Sequence, residues 1–407
     1  MSISFLYHAF GIRGGFKYTR TLYENGSIIL VIEPKVDSLR CPSCNSRHIN
    51  RKGVVWRMIR TVPVGSKPIY LKVAIQRVQC LCCGIIRQIK IPFARKFSRC
   101  SRALERMIIS LSRRMNIRDI AAHLKVGWDL VKDILKQHFR AKFDKPKLNK
   151  LKWIAIDEIH ISSKGKVRFL TIVYDLVTGR VVFVGDGKGM DALEPFWRRL
   201  RRSRAKIQAV ATDLSPAYIS AVTKHLPEAT LVFDHFHIIK LFNEKLSDLR
   251  RKLFNQLTKL EEKKLLKGTR WLLLKNPENL DPERDEPKRL QEALELNAPL
   301  ATAYYLKEDL RQLWSQPTKQ QAAIFLESWL QRAWSTGIKP IITVANTIAS
   351  RRSGVLAWYD FPISTGPLEG INNKIKTMKR QAYGFRDLDF FKLKIKAIHL
   401  ARYELVG

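Results

Sequence analysis

Residues Trp153–Gly187 read WIAIDEIHISSKGKVRFLTIVYDLVTGRVVFVGDG, and their pattern decides the fold. Three apolar runs, WIAIDEI, RFLTIVYDLV and RVVFVGDG, are separated by short stretches containing Lys-Gly or Thr-Gly. Short runs rich in Val and Ile, cut by turn residues, predict three strands joined by tight turns. Downstream the pattern alternates: a basic helix LEPFWRRLRRSR, a strand IQAVATD, a helix SPAYISAVTKHL and a strand TLVFDHFHI. Hairpin-linked strands followed by helix–strand alternation predict a mixed α/β sheet. From about residue 238 to about residue 350 the strand signal stops. Amphipathic helices replace it, broken by the loop KNPENLDPERDEPK, and more helix ends the chain.

Upstream of the sheet lie two smaller blocks. Residues 1–100 carry strand-like runs, SIILVIEP and IYLKVAIQRV, interrupted by the cysteine knuckles CPSC and CLCC. All six cysteines fall between positions 41 and 100, a clustering that suits metal ligands better than a disulfide framework. Cys41, Cys44, Cys80 and Cys83 give a matched C-x-x-C pair on each side and predict one tetrahedral Zn²⁺. Cys82 is an alternative ligand on the second knuckle, and Cys100 reads as a small core residue. Four thiolates leave no open position, so such a zinc is structural.

Residues 101–143 read as helices, with NIRDIAAHLKVGWDLVKDILKQHF forming a helix-turn-helix about Lys125-Val126-Gly127. Its second helix would turn Asp129, Lys132, Lys136 and Arg140 toward a DNA groove. A Lys/Pro-rich linker, KFDKPKLNKLK, leads into the sheet.

The 407 residues carry a formal charge of +38, which calls for a polyanionic partner, most commonly nucleic acid. No apolar run approaches a membrane span, and MSISFLYHAF lacks the basic start and cleavage site of a signal peptide. The expected place is with the genome, in cytoplasm or nucleoplasm.

Two acids, Asp157 and Asp213, close apolar strands, WIAID and AVATD. If those strands are neighbours, both carboxylates emerge at one sheet edge. A third acid, Glu369, opens the last basic helix in TGPLEGINNKIKTMKRQAYGFR, where it is the one acid among five lysines and arginines. Leu368, Ile371, Ile375, Met378 and Ala382 form that helix's core stripe, leaving Asn372, Asn373, Lys376 and Arg380 on the face of Glu369. A carboxylate among phosphate-binding bases is tolerable when a divalent cation lies between acid and phosphate. Three carboxylates suit two Mg²⁺ (or Mn²⁺) ions about 4 Å apart. Lys376, Lys379, Arg380 and Arg386 would then bind flanking backbone. The D-x-x-H group Asp234 and His237 is a further candidate near this site. Trp271 reads as a core residue, with stacking on a nucleic-acid base as the alternative.

In its order of parts, the chain resembles the DDE transposases of bacterial insertion sequences, specifically the ISL-three family. The matching pieces are CPSC, RVQCLCCG, the helix-turn-helix, IAIDEIH, ATDLSPAY, VFDHFHIIKLFNEKL, LKGTRWLLLKNPENL and GPLEGINNKIKTMKRQAYGFRD. The resemblance implies a multidomain α+β protein with a zinc-ribbon-like domain at 1–98 and a helix-turn-helix at 99–143. An RNase H-like α/β core would follow at 151–240 and 356–407, interrupted by an all-helical insertion at 241–355. It implies Asp157, Asp213 and Glu369 as catalytic and metal-binding residues, and an N-terminus that helps recognise the element's inverted repeats. Such an enzyme would cut element ends by two-metal hydrolysis and join the 3′ hydroxyls to target DNA. Double-stranded DNA is then the partner, at least a homodimer the working assembly, and the bacterial cytoplasm and nucleoid the location. A transposase-derived regulator without catalysis and a structure-specific nuclease are the alternatives. Many relatives carry a second arginine beside Arg77, where this chain has Gln76.

Overall fold

The computed structural model describes residues 3–12, 15–161 and 169–400. The Lys-Gly turn expected between the first two strands of the α/β sheet lies outside them. The chain divides into two compact units, one built from residues 1–144 and 378–407, the other from Lys145–Thr377.

The first unit opens with α1 (Ile3–Phe10) and a five-stranded sheet. Its strands are β1 (Phe16–Glu24), β2 (Ser27–Pro34), β3 (Ile49–Val64), β4 (Lys67–Cys80) and β5 (Ile86–Gln88). They run in the order β1-β2-β4-β3, with β5 also paired to β4. Leu30 and Ile32 of β2, Leu71, Val73 and Ile75 of β4 and Phe10 of α1 bury one core. The long strand β3 has no counterpart in the hydrophobic pattern, because residues 50–56 are exposed on both faces and show no alternation. A bulge at Gly53 interrupts its pairing with β4, and the buried Gln76 amide donates to the Gly53 carbonyl at 2.8 Å. Gln76 thereby satisfies a backbone group that the ladder leaves open.

Three helices follow: α2 (Arg102–Leu111), α3 (Ile117–Leu124) and α4 (Trp128–Phe143). Asn116 caps α3 by accepting from the Asp119 N–H at 2.9 Å. Lys125 adopts a left-handed conformation (φ 50°) that ends α3, and the chain turns into α4 at Gly127. Ile120, Leu124, Val131, Ile134 and Leu135 are buried between these helices, at positions the helical period marks. The sequence pattern does not show that the core is completed from the far end of the chain. Phe390 and Leu393 of a later helix pack into it, and the segment from Met378 onward clusters with this unit.

The second unit holds β6 (Trp153–His160), β7 (Phe169–Asp175), β8 (Arg180–Asp186), β9 (Ala209–Thr212) and β10 (Thr230–Phe233). Their order is β10-β9-β6-β7-β8, antiparallel among β6, β7 and β8 and parallel among β6, β9 and β10. This is the RNase H-like arrangement. Helices α5 (Met190–Arg201) and α6 (Pro216–His225) supply the crossovers, and Phe196, Trp197 and Tyr218 bury against Ile154, Ile156 and Val173. The long helix α7 (His235–Gln256) leaves β10 and begins an all-helical insertion. It continues through α8 (Leu260–Lys267), α9 (Arg270–Leu274), α10 (Glu286–Leu296) and α11 (Ala298–Arg311). Helices α12 (Lys319–Ser335), α13 (Lys339–Ala349) and α14 (Arg352–Leu356) close it around Phe242, Leu246 and the buried Trp329. A Cβ at Gly354 would come within 2.5 Å of the Phe233 ring, so only glycine lets α14 pack directly on β10. The chain ends in α15 (Gly366–Gln381) and α16 (Leu388–Lys396).

Candidate functional site

The sheet brings two acids together first. β6 and β9 are parallel neighbours with Ile156 opposite Thr212, so Asp157 and Asp213 follow at the same level of adjacent strands. Asp157 Oδ1 accepts from the Glu158 N–H at 2.7 Å, and Asp213 Oδ1 accepts from the Ser215 N–H at 3.0 Å. Burial pushes the Asp157 carboxyl above the usual carboxylate range, and the charge of Asp213 adds to that push. The Glu158 N–H, the nearby His237 and the Asn372 amide act in the opposite direction.

Helix α15 reaches this edge through Asn372, whose amide donates to Asp157 Oδ2 at 2.8 Å. Glu369 lies three residues earlier, on the same helical face, and is exposed. Leu368, Ile371, Ile375 and Met378 are buried along the stripe that the sequence marks, while Ala382 is only half-buried. Asn372 departs from that reading, being 8% exposed rather than part of the open face. Its role beside Asp157 went unassigned in the sequence, where the only signal is the Asn-Asn pair one turn after Glu369.

Asp234 holds the same helix from its other end. It is 1% exposed, caps α7 by accepting from the Phe236 N–H at 3.0 Å, and lies 3.3 Å from His235 Nδ1. Its second oxygen accepts from the Thr365 N–H at 2.8 Å and from the Thr365 hydroxyl. Thr365 immediately precedes α15, so one buried carboxylate joins the start of the insertion to the start of the Glu369 helix.

The oxygen donors fit hard divalent cations. Asn372 Oδ1 and Thr212 Oγ1 are buried beside the acids without a hydrogen-bond partner, and the water shell of a bound ion would provide one. Two ions about 4 Å apart, with bonds of about 2.1 Å, serve oxygens up to about 8 Å from one another, so the three acids need not be in mutual contact.

The basic residues singled out by the sequence are placed unequally. Arg140, Lys376, Arg380 and Arg386 are exposed, and Lys379 is half-buried. Lys132 and Lys136 are instead engaged by Asp387, at 3.0 and 2.7 Å, which also caps α16 by accepting from the Phe390 N–H. Trp271 is not a core residue. It is 66% exposed with the Arg270 guanidinium 5.0 Å from its ring centre, and Leu272 and Leu273 fill the core in its place.

The four cysteines form a separate centre. The Sγ atoms of Cys41, Cys44, Cys80 and Cys83 all lie within 4.8 Å of one another, the one such metal-ligand group among the described residues. Cys41 and Cys83 are 3.6 Å apart, and Cys44 and Cys80 are 3.4 Å apart. A tetrahedral Zn–S₄ centre with bonds of about 2.3 Å spaces its sulfurs by about 3.8 Å, so the cluster fits one structural Zn²⁺. The N–H groups of Cys44 and Ser43 lower the Cys41 thiol to about 6, whereas Cys44, beside the Cys80 sulfur, and Cys83 are raised. Cys82 lies outside the cluster, with its sulfur on the Ser46 hydroxyl at 3.2 Å. Cys100 is buried, as expected.

Comparison with known proteins gives three family matches in chain order. Residues 37–83 match the zinc-finger of transposase IS204/IS1001/IS1096/IS1165. Residues 89–138 match the helix-turn-helix domain of transposase family ISL3, and residues 154–395 match that family's transposase domain. The transposase for insertion sequence element IS1001 of Bordetella parapertussis is 31% identical over 374 residues, covering 91% of each chain. The transposase for insertion sequence element IS1557 of Mycobacterium tuberculosis is 27% identical over 390 residues, covering 89% of this chain and 86% of that one. The Drosophila P element transposase strand transfer complex superposes at a TM-score of 0.40 with 15% identity, covering 75% of this chain and 92% of that one.

Proposed function

The chain belongs to the ISL3 family of transposases, and from that membership we propose that it cuts and joins DNA as a DDE enzyme. It binds the terminal inverted repeats of its insertion sequence, cleaves the ends by metal-assisted hydrolysis and joins the freed 3′ hydroxyls to target DNA. The observation that carries this reading is the convergence of Asp157, Asp213 and, through Asn372, the helix of Glu369 on one sheet edge.

Asp157, Asp213 and Glu369 would hold two Mg²⁺ or Mn²⁺ ions, which supply the Lewis acidity that activates the attacking oxygen and stabilises the leaving 3′ oxygen. Asn372 fixes the direction of the Asp157 carboxylate, and the exposed Lys376 and Arg380 accept flanking phosphates. His237 lies near Asp157 and favours the charged form of its carboxylate. Cutting two ends in concert needs at least two copies of the chain on DNA. The working place is the cytoplasm, at the nucleoid. Among the described residues no helix is long and apolar enough to cross a membrane.

The test incubates the full-length protein with a duplex carrying the gene's own flanks, with Mg²⁺, with Mn²⁺ and without divalent ion, and maps new 3′ ends. Metal-dependent nicks at the repeat boundary that vanish in Glu369→Gln are expected. Binding at the boundary with no cut under any condition would instead make the chain a transposase-derived regulator. Cuts set by DNA structure rather than by the boundary would make it a nuclease.

A further inference from the structure

At the end of α15 the Gly384 N–H donates to the Lys379 carbonyl and the Tyr383 N–H to the Arg380 carbonyl, each at 3.0 Å. These are the paired bonds of a Schellman turn, which needs a left-handed residue at the position of Tyr383. Glycine usually fills that position, because it has no Cβ to clash. Tyr383 occupies it at φ 50°, a conformation that a bulky side chain adopts only against steric strain. Packing does not offset the strain, since Tyr383 is 97% exposed. The loop is nevertheless fixed beyond it. The Phe385 ring stacks on Phe391 with centres 4.5 Å apart, and Asp387 engages Lys132 and Lys136 of α4. A fixed loop therefore holds a strained ring in solvent, and strain kept at such a position points to a ligand rather than to stability. Three residues to either side of the ring, Arg380 and Arg386 are exposed, with no ion-pair partner among the described residues.

We propose that Tyr383 is a stacking platform for one unpaired nucleobase of the DNA on which the chain acts, with Arg380 and Arg386 on the phosphates that flank that base. The proposal rests on the transposase reading and deepens it. A free aromatic face between cations suits a base with its backbone, because every base offers a π-face whatever its identity. A paired base hides its faces within the duplex stack, so the ring takes a base that is unpaired or lifted out. A protein partner would call for an apolar patch around the ring, whereas its exposed neighbours in the chain, Arg380, Gln381 and Arg386, are polar. Tyrosine also serves at low entropic cost, since two side-chain angles fix its ring.

Fluorescence anisotropy of the full-length protein tests this on labelled element-end duplexes. Each carries a short run of unpaired thymidines, or the same run as abasic backbone, and the run is stepped along the end. At one step the wild type should bind the thymidine duplex about tenfold more tightly than the abasic one, the effect of one base stacked on an aromatic ring. Tyr383→Gly should bring that ratio to about one and leave the salt slope unchanged, because no phosphate contact is lost. Its melting temperature should hold or rise by about 1–4 °C, since glycine relieves the left-handed strain, so a lost ratio cannot come from unfolding. Tyr383→Phe should keep the ratio. Arg380→Gln with Arg386→Gln should weaken both duplexes by one factor and flatten the salt slope. Equal binding of thymidine and abasic duplexes by the wild type at every step, or a ratio that survives Tyr383→Gly, would overturn the platform. A ratio lost in Tyr383→Phe as well would assign the contact to the hydroxyl and overturn stacking. An altered mass of Tyr383→Gly in light scattering, with the ratio intact, would give the ring to a second copy of the chain instead. If the wild type does not prefer the element end to a scrambled duplex, the transposase reading fails, and the same ratio measured on the scrambled duplex still decides the platform.

Discussion

The zinc-ligand cysteines and the acids proposed to bind Mg²⁺ are built in opposite ways. The four cysteines come from two knuckles in one domain, and their sulfurs already lie within 4.8 Å of one another. The three acids come from two strand ends and a helix that starts after an insertion of more than a hundred residues, and only Asp157 is tied to that helix directly. A structural site gains from being closed, since every ligand it satisfies contributes to folding. A catalytic site must leave room for substrate and water, so its ligands stay apart and depend on the surrounding fold to aim them.

The sharpest way to break the comparison is to swap its consequences. Glu369→Gln should leave zinc content, melting and end binding near wild type while cleavage falls by about 10³-fold or more, read as 3′ ends per hour. Cys80→Ser should do the reverse. Structural zinc contributes on the order of 10 kcal/mol to small domains of this kind. Zinc content should therefore collapse and the first unit's melting transition should move down, while the second unit, which lacks the cysteines, melts as before. A Cys80→Ser protein that keeps its zinc would mean that Cys82 replaces a ligand.

Asp234→Asn tests how the open site is held. The variant places an amide where a carboxylate accepts from Thr365 and Phe236, and should cost about 2–4 kcal/mol of stability. If Asp234 positions the Glu369 helix, the Mg²⁺ concentration for half-maximal cleavage should also rise severalfold, with DNA affinity unchanged. A variant that loses stability but keeps the wild-type metal dependence would reduce Asp234 to a helix cap.

What could be read from the sequence follows the same division. Cysteine spacing is local, so the zinc ligands stand out as a pair of C-x-x-C motifs, and the alternation of strands and turns announces the α/β sheet. Asp157 and Asp213 are visible because each ends an apolar run. The contacts that organise the acids are not local. Asn372 meets Asp157 across 215 positions, and Asp234 meets Thr365 across 131, with no periodicity to reveal either. Trp271 misleads for a related reason: within the apolar run WLLL the pattern does not say which member faces solvent. The third strand of the N-terminal sheet escapes because solvent on both faces erases the alternation that marks a strand.

Asn372→Leu sharpens the acid side at smaller cost. Asp157 sits above the usual carboxylate range, so protonation should remove cleavage at a higher pH than an ordinary carboxylate would allow. The Asn372 hydrogen bond opposes that shift. Losing it should move the acid limb of the cleavage–pH profile further up, by part of a unit, with a stability loss of about 1 kcal/mol. A downward move would show that Asn372 acts on another group.

The smallest effect concerns a carboxylate that serves no metal. Hydrogen bonding from Lys136, then the Phe390 N–H and Lys132, holds the Asp387 carboxyl well below the usual range. A depressed carboxylate contributes stability that is full above its unfolded value of about 3.9 and is lost as pH falls through the folded value, so the contribution is intact at neutral pH. Asp387→Asn keeps the cap on α16, since asparagine accepts as well as aspartate there, and should cost about 1 kcal/mol after solvent screening. It also frees two lysines of the helix expected to enter a DNA groove. Affinity for the element-end duplex should then rise about two- to threefold with a steeper salt slope, because a competing anion has been removed. A fall in affinity would mean that Asp387 orients Lys132 and Lys136 for DNA, a buttress built on the same plan as Asn372 beside Asp157.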